Sequence, residues 1–113
     1  MNRSIFLIHW NQGEAVPLAE GLIASGWGVE IEAEDGARAA KRILADPPAA
    51  VVIYLSRLPS HGRETARYLR SRSTVPIIFV DGAEEKLDHV RTQVPDAIFA
   101  QSGDLQSLLA NLG

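Results

Sequence analysis

The chain has 113 residues, 46% of them hydrophobic and 22% charged, the balance of one ordinary globular domain with a single core. It has no cysteine, which excludes disulfide scaffolds, thiolate metal sites and thiol nucleophiles. The net charge of −3 is uneven: residues 37–75 hold eight bases and two acids, and both flanks are acidic.

Residues 5–8 form a short apolar run that predicts a strand. Residues 14–25 read as a helix with Ala15, Ala19, Leu22 and Ile23 on one face, Pro17 tolerated in the first turn and Gly26 as the stop. Residues 27–34 alternate Val29, Ile31 and Ala33 with Glu30, Glu32 and Glu34. One face of this strand is expected in water, which suits a sheet edge, and its carboxylates discourage edge-to-edge pairing. Asp35 is placed to cap a helix over 37–45, which Asp46-Pro47-Pro48 ends.

Residues 50–55 are unbroken apolar and rich in β-branched side chains, the mark of a strand covered on both faces. The turn-rich stretch 56–62 then leaves its carboxyl end, the edge where open α/β sheets build their sites. A helix over 62–72 and a strand over 75–80 follow. Asp81 and Glu84 have capping-box spacing before a helix carrying Leu87, Val90 and Val94. A strand over 97–100 precedes a last helix, capped by Asp104, with Leu105, Leu108, Leu109 and Leu112 turned inward.

Five alternating βα units with short connections imply a single α/β domain over residues 1–113. The expected architecture is a flavodoxin-like, doubly wound parallel sheet of order 2-1-3-4-5, with the Glu-striped second strand at an edge. No apolar run approaches a membrane span, and the start enters a strand pattern without a signal-peptide cleavage site. A cytoplasmic location is therefore expected.

Several α/β chemistries lack their residues. The turn after the first strand, His9-Trp10-Asn11-Gln12-Gly13, has neither the glycines of a dinucleotide site nor the Ser/Thr/Gly composition of a flavodoxin phosphate loop. No P-loop and no G-x-S-x-G elbow is present. His9, His61 and His89 fall on separate elements without ligand spacing, so no metal and no cofactor is expected.

With these elements laid out, the chain resembles the response-regulator receiver (CheY-like) family over essentially its whole length. The resemblance is carried by Leu58-Pro59 with Gly62 after the third strand, by the frame 96–105 and by the Val75-Pro76 entry to the fourth strand. It implies two acids after the first strand to hold Mg²⁺, a phosphoryl-accepting Asp ending the third, a Thr or Ser ending the fourth and a Lys ending the fifth. Those positions fall here at His9 and Trp10, at Tyr54 (or Leu55), at Asp81 and at Gln101. All depart from the pattern. Trp10 is expected to fill the pocket with an indole, and Tyr54 to hydrogen-bond Gln101 or Asp81 across the strand ends.

The resulting expectation is a pseudo-receiver: a non-enzymatic signalling domain of two-component type that acts by protein contact and takes neither phosphate nor Mg²⁺. The alternative is a small-ligand sensor using the carboxyl-edge crevice lined by His9, Trp10, Tyr54, Asp81 and Gln101. A phosphatase-like enzyme, the third reading, lacks a nucleophile and base. Arg63, Arg67 and Arg70 recur at i, i+4 and i+7 and are expected to form one stripe for an acidic protein segment, extended by Arg38, Lys41 and Arg42. The net negative charge speaks against nucleic acid. Ser56 and Ser60 are loop serines open to modification in trans, and a short last helix leaves apolar area for weak self-association.

Overall fold

The computed structural model describes residues 3–55, 59–81, 94 and 96–112. Strands and helices alternate as β1 (Ser4–Ile8), α1 (Gln12–Ala24), β2 (Gly28–Glu32), α2 (Gly36–Ala45), β3 (Ala50–Tyr54), α3 (Pro59–Arg72), β4 (Ile77–Val80), β5 (Ile98–Ala100) and α4 (Leu105–Leu112). The five strands form one sheet of order β2-β1-β3-β4-β5. Every neighbouring pair is parallel. The expected architecture is the observed one. The helix expected between β4 and β5, with Glu84, Leu87 and Val90, lies outside the described residues; Val94 at its far end is buried.

Period-two alternation builds two cores from the same strands. Phe6 and Ile8 of β1 and Val51 and Ile53 of β3 face one way, against Ala39, Ala40 and Ile43 of α2 and Ala66 and Leu69 of α3. Ile5, Leu7, Ala50, Val52 and Tyr54 face the other way, against Ala15, Ala19 and Leu22 of α1 and Leu105 and Leu109 of α4. All five residues of β3 are buried, as a central strand between two helical layers requires.

The helix starts have local causes. Asn11 caps α1, its Oδ1 accepting from the Glu14 N–H at 3.0 Å, so the helix begins two residues before the expected position. Asp35 caps α2 as expected, one carboxylate oxygen accepting from Ala37 and Arg38 at 2.9 and 3.1 Å. α3 starts at Pro59, earlier than expected, because a missing N–H is no loss in a first turn. Asp104 sits within a 3₁₀ turn, Ser102–Asp104, that leads into α4.

Two expectations fail on α1 and β2. Ile23 is 53% exposed, so the buried face of α1 is Ala15, Ala19 and Leu22 at i, i+4 and i+7. Glu32, expected in water with its stripe, is buried at 3% exposure. Its two oxygens take the Arg38 guanidinium, Nε and one terminal nitrogen each at 2.7 Å, and one of them also accepts from the Glu34 and Asp35 N–H groups. A buried carboxylate is tolerable with this many donors. No helix among the described residues is long and apolar enough to cross a membrane.

Candidate functional site

The strand ends converge on one edge. Ile8 pairs in register with Ile53, Tyr54 with Val80 and Val80 with Ala100, which brings His9, Tyr54, Asp81 and Gln101 to neighbouring strand ends. Continued alternation then sends the two residues after β1 to opposite sides of the sheet. His9 turns to the α1 side, is 2% exposed and stacks on Tyr54, ring centroids 4.9 Å apart at 22°. Its Nε2 lies 3.3 Å from a Glu14 carboxylate oxygen on α1.

Tyr54 is 2% exposed, and burial, followed by the negative charge of Asp81, pushes its phenol up to about 12. The ring is held by the stack on His9, in place of the expected hydrogen bond to Gln101 or Asp81. Gln101 itself points into solvent. Asp81 adopts φ 60, the left-handed region, whereas the caps Asn11 and Asp35 have extended backbones at −150 and −138. The helix that Asp81 is expected to cap lies outside the described residues.

Trp10 does not fill this edge. It packs on the α2/α3 core cluster and meets His61 edge-on at 5.9 Å and 78°. Two glycines make room for the indole: a Cβ on Gly36 would come within 3.5 Å of its six-membered ring, and one on Gly62 within 3.8 Å of Nε1. Beside it, between α2 and α3, lies an open groove of about 690 Å³. Gly36, Ala37, Ala40, Lys41 and Leu44 form the α2 wall, and His61, Glu64, Thr65 and Tyr68 the α3 wall. The helices touch at one end, where a Cβ on Gly36 would fall 2.5 Å from Thr65 Oγ1. Sequence reasoning missed this groove, although Gly36, Ala37 and Ala40 opposite an i, i+3, i+4, i+7 set on α3 is a readable signal.

No protein-family model matches the chain. Among solved structures, a response-regulator receiver domain from Bermanella marisrubri superposes with a TM-score of 0.81 at 22% identity, covering 99% of this chain and 98% of that one. The chemotaxis protein CheY4 of Vibrio cholerae gives 0.82 at 15% identity, with full coverage of both chains. The complex of the histidine kinase ThkA with the response regulator TrrA gives 0.79 at 17%, with 97% of each chain covered. The fold is that of receiver domains.

On this receiver fold the basic middle of the chain is largely spoken for. Arg38 pairs with Glu32, and with Glu34 at 3.7 Å; Arg42 reaches Glu30 at 2.6 Å. Their contribution to a free cationic surface is lost because α2 lies beside the Glu-striped edge strand. Arg70 does not join an exposed stripe either. Its guanidinium donates to the carbonyls of Ser73 and Val75, both at 2.8 Å, and lies 3.0 Å from Asp96. Arg63 is half-buried and Arg67 exposed on α3, and Lys41 stands exposed at the groove. Ser60 lies in the first turn of α3; Ser56 and His89 are outside the described residues. Among the described residues no group of His, Asp and Glu has the arrangement of a metal site.

Proposed function

We propose that this domain is a receiver-like signalling module of two-component type that works by protein contact, without aspartyl phosphorylation and without catalysis of its own. The carrying observation is the His9–Tyr54 stack at the carboxyl ends of β1 and β3. Phosphoryl transfer to a receiver needs a carboxylate acceptor, and Mg²⁺ needs oxygen ligands to offset the transferred charge. At the matching strand ends this chain carries a phenol and an imidazole packed face to face. Trp10 and Gln101 add neither a carboxylate nor a cation.

Contact is supported by what the surface offers. Val16 and Ile23, 37% and 53% exposed, stand two turns apart on the outer side of α1. Arg63 and Arg67 remain the candidates for an acidic protein segment. A solved neighbour of this fold is itself held in a complex with a histidine kinase, which makes a signalling protein the natural partner class.

Incubation with acetyl phosphate and Mg²⁺, followed by intact-mass analysis, tests the first half of the proposal. No mass increase is expected. A phosphate-sized adduct that hydroxylamine removes would reveal an acyl phosphate and end this reading. The second half predicts that Arg63→Glu with Arg67→Glu abolishes partner capture from native lysate, and unchanged capture would remove those residues from the contact. The self-association expected of a short last helix is read by light scattering at high concentration. The ligand-sensor alternative is favoured by the open groove beside Trp10, which lies on the flank of α2 and α3, apart from the His9–Tyr54 stack.

A further inference from the structure

We infer that the α2–α3 groove is a binding site for a small planar aromatic molecule carrying a single carboxylate. Its volume of about 690 Å³ lies inside the range of roughly 300–1,000 Å³ typical of small-molecule clefts. The walls select the body of the ligand. On the α2 side Ala37 and Ala40 present only methyl groups, so a flat ring can lie close to the helix. Trp10 and His61 supply aromatic surface toward one end, and Tyr68 toward the other. Tyr68 is 47% exposed and carries the Arg72 guanidinium 5.3 Å from its ring centroid, so this aromatic wall is held out of the core, beside the groove. Offset or edge contacts among such rings add about 0.5–1.5 kcal/mol beyond area burial.

The charges select the head group. α2 carries three cations in one turn and a half, and two of them, Arg38 and Arg42, are turned to the glutamates of β2. Lys41 lies round the helix from that pair, lines the groove, and has no carboxylate within ion-pairing distance among the described residues. One ammonium fits one carboxylate. Glu64 on the opposite wall disfavours a second negative charge, which argues against phosphate esters and nucleotides. The amides of Ala37 and Arg38 in the first turn of α2 are not open to a phosphate, because Asp35 already takes both N–H groups. The site lies on the far side of the sheet from the His9–Tyr54 stack, so its occupancy and the phosphorylation question are separable.

Titration of the full chain with indole-3-acetate, followed by ¹⁵N–¹H correlation spectra, tests the assignment. Indole-3-acetamide is the uncharged control and acetate the control without a ring. Indole-3-acetate is expected to shift the Trp10 indole N–H and the amides of Ala37, Ala40 and Lys41, and both controls to leave them in place. Lys41→Ala should weaken binding about tenfold, the order expected for one charge-assisted contact. Ala37→Leu, at an exposed position, should abolish binding by filling the cleft while the remaining spectrum is preserved. Shifts confined to other parts of the molecule, equal binding of acid and amide, insensitivity to Ala37→Leu, or no shifts at millimolar ligand would each overturn the assignment.

Discussion

His9 and Trp10 are consecutive, yet they end on opposite sides of the sheet in unlike surroundings. His9 enters a closed space, stacked on Tyr54 at 4.9 Å and buried to 2% exposure. Trp10 borders an open one, the groove between α2 and α3. The difference is a matter of side-chain volume. On the α1 side an aromatic ring at the end of β3 meets an aromatic ring at the end of β1. On the other side Gly36, Ala37 and Ala40 face α3 with small side chains or none, and a Cβ on Gly36 would fall 2.5 Å from Thr65 Oγ1. The closed side packs its imidazole and phenol against each other, and room is present on the other. The place where this fold could host a ligand is thus displaced from the strand ends to a helical flank.

The largest change to this contrast is expected from Tyr54→Ala. It removes a ring buried at 2% exposure and leaves His9 facing a void, which should cost about 3–5 kcal/mol in urea unfolding. Tyr54→Phe keeps the stack and should cost far less. If the two variants unfold alike, the stack does not hold the edge closed. On the open side, Gly36→Ala places a methyl 2.5 Å from Thr65 Oγ1, itself bonded to the His61 carbonyl at 2.9 Å. Wedging the helices apart should cost about 1–3 kcal/mol, and Thr65→Ala in the same chain should recover most of it. A double variant no more stable than Gly36→Ala would place the strain elsewhere.

How far such features are legible in the sequence depends on the range of the physics behind them. The sheet order followed from local signals: the continuous apolar run of β3, the turn residues, and a Glu-striped strand that belongs at an edge. Asp35 was readable as a cap because capping is settled within three residues. What failed needed a partner from another element. Glu32 reads as one of three solvated glutamates until α2 is laid beside β2 and Arg38 reaches across to it. Arg70 reads as part of a stripe with Arg63 and Arg67, but at the end of α3 the carbonyls of Ser73 and Val75 draw it inward. Trp10 was expected beside Tyr54, because whether β1 pairs to its last residue decides which side each following residue takes. Ile23 shares a helical face with Leu22 only loosely, and α1 rolls to bury the alanines instead.

A smaller effect concerns what keeps α2 in position and the groove open. Arg38, then the backbone N–H groups of Glu34 and Asp35, hold the Glu32 carboxyl down at about 2, against the opposing effect of burial. A carboxyl depressed in the folded state contributes stability that is fully present above its unfolded value near 4.5, and loses it as pH falls through about 2. Because Arg38 is half-exposed, solvent screens the pair, and the contribution is on the order of 1–2 kcal/mol. Comparing wild type with Glu32→Gln by urea unfolding at stepped pH should show a gap that is widest near neutrality and narrows below pH 4.5. A gap that stays constant down to pH 3 would mean that the glutamate acts by shape and not by charge.

The finest probe of the closed side is the ionisation of Tyr54. Burial foremost, and then the Asp81 charge, raise its phenol to about 12 from an ordinary 10. The neutral form is the one the fold favours, so its contribution is complete below pH 10 and is lost as pH rises through 12. In a Tyr68→Phe background Tyr54 is the sole tyrosine, and absorbance at the phenolate band reports it alone. The midpoint should lie near 12 while far-ultraviolet circular dichroism still shows the folded chain. Adding Asp81→Asn should lower the midpoint only in part, since burial is the larger cause. His9→Ala opens the face of the ring to water and should lower it further than Asp81→Asn does. A midpoint near 10 in a folded chain would mean that water already reaches the phenol, and that the strand-end edge is as open as the groove on its other side.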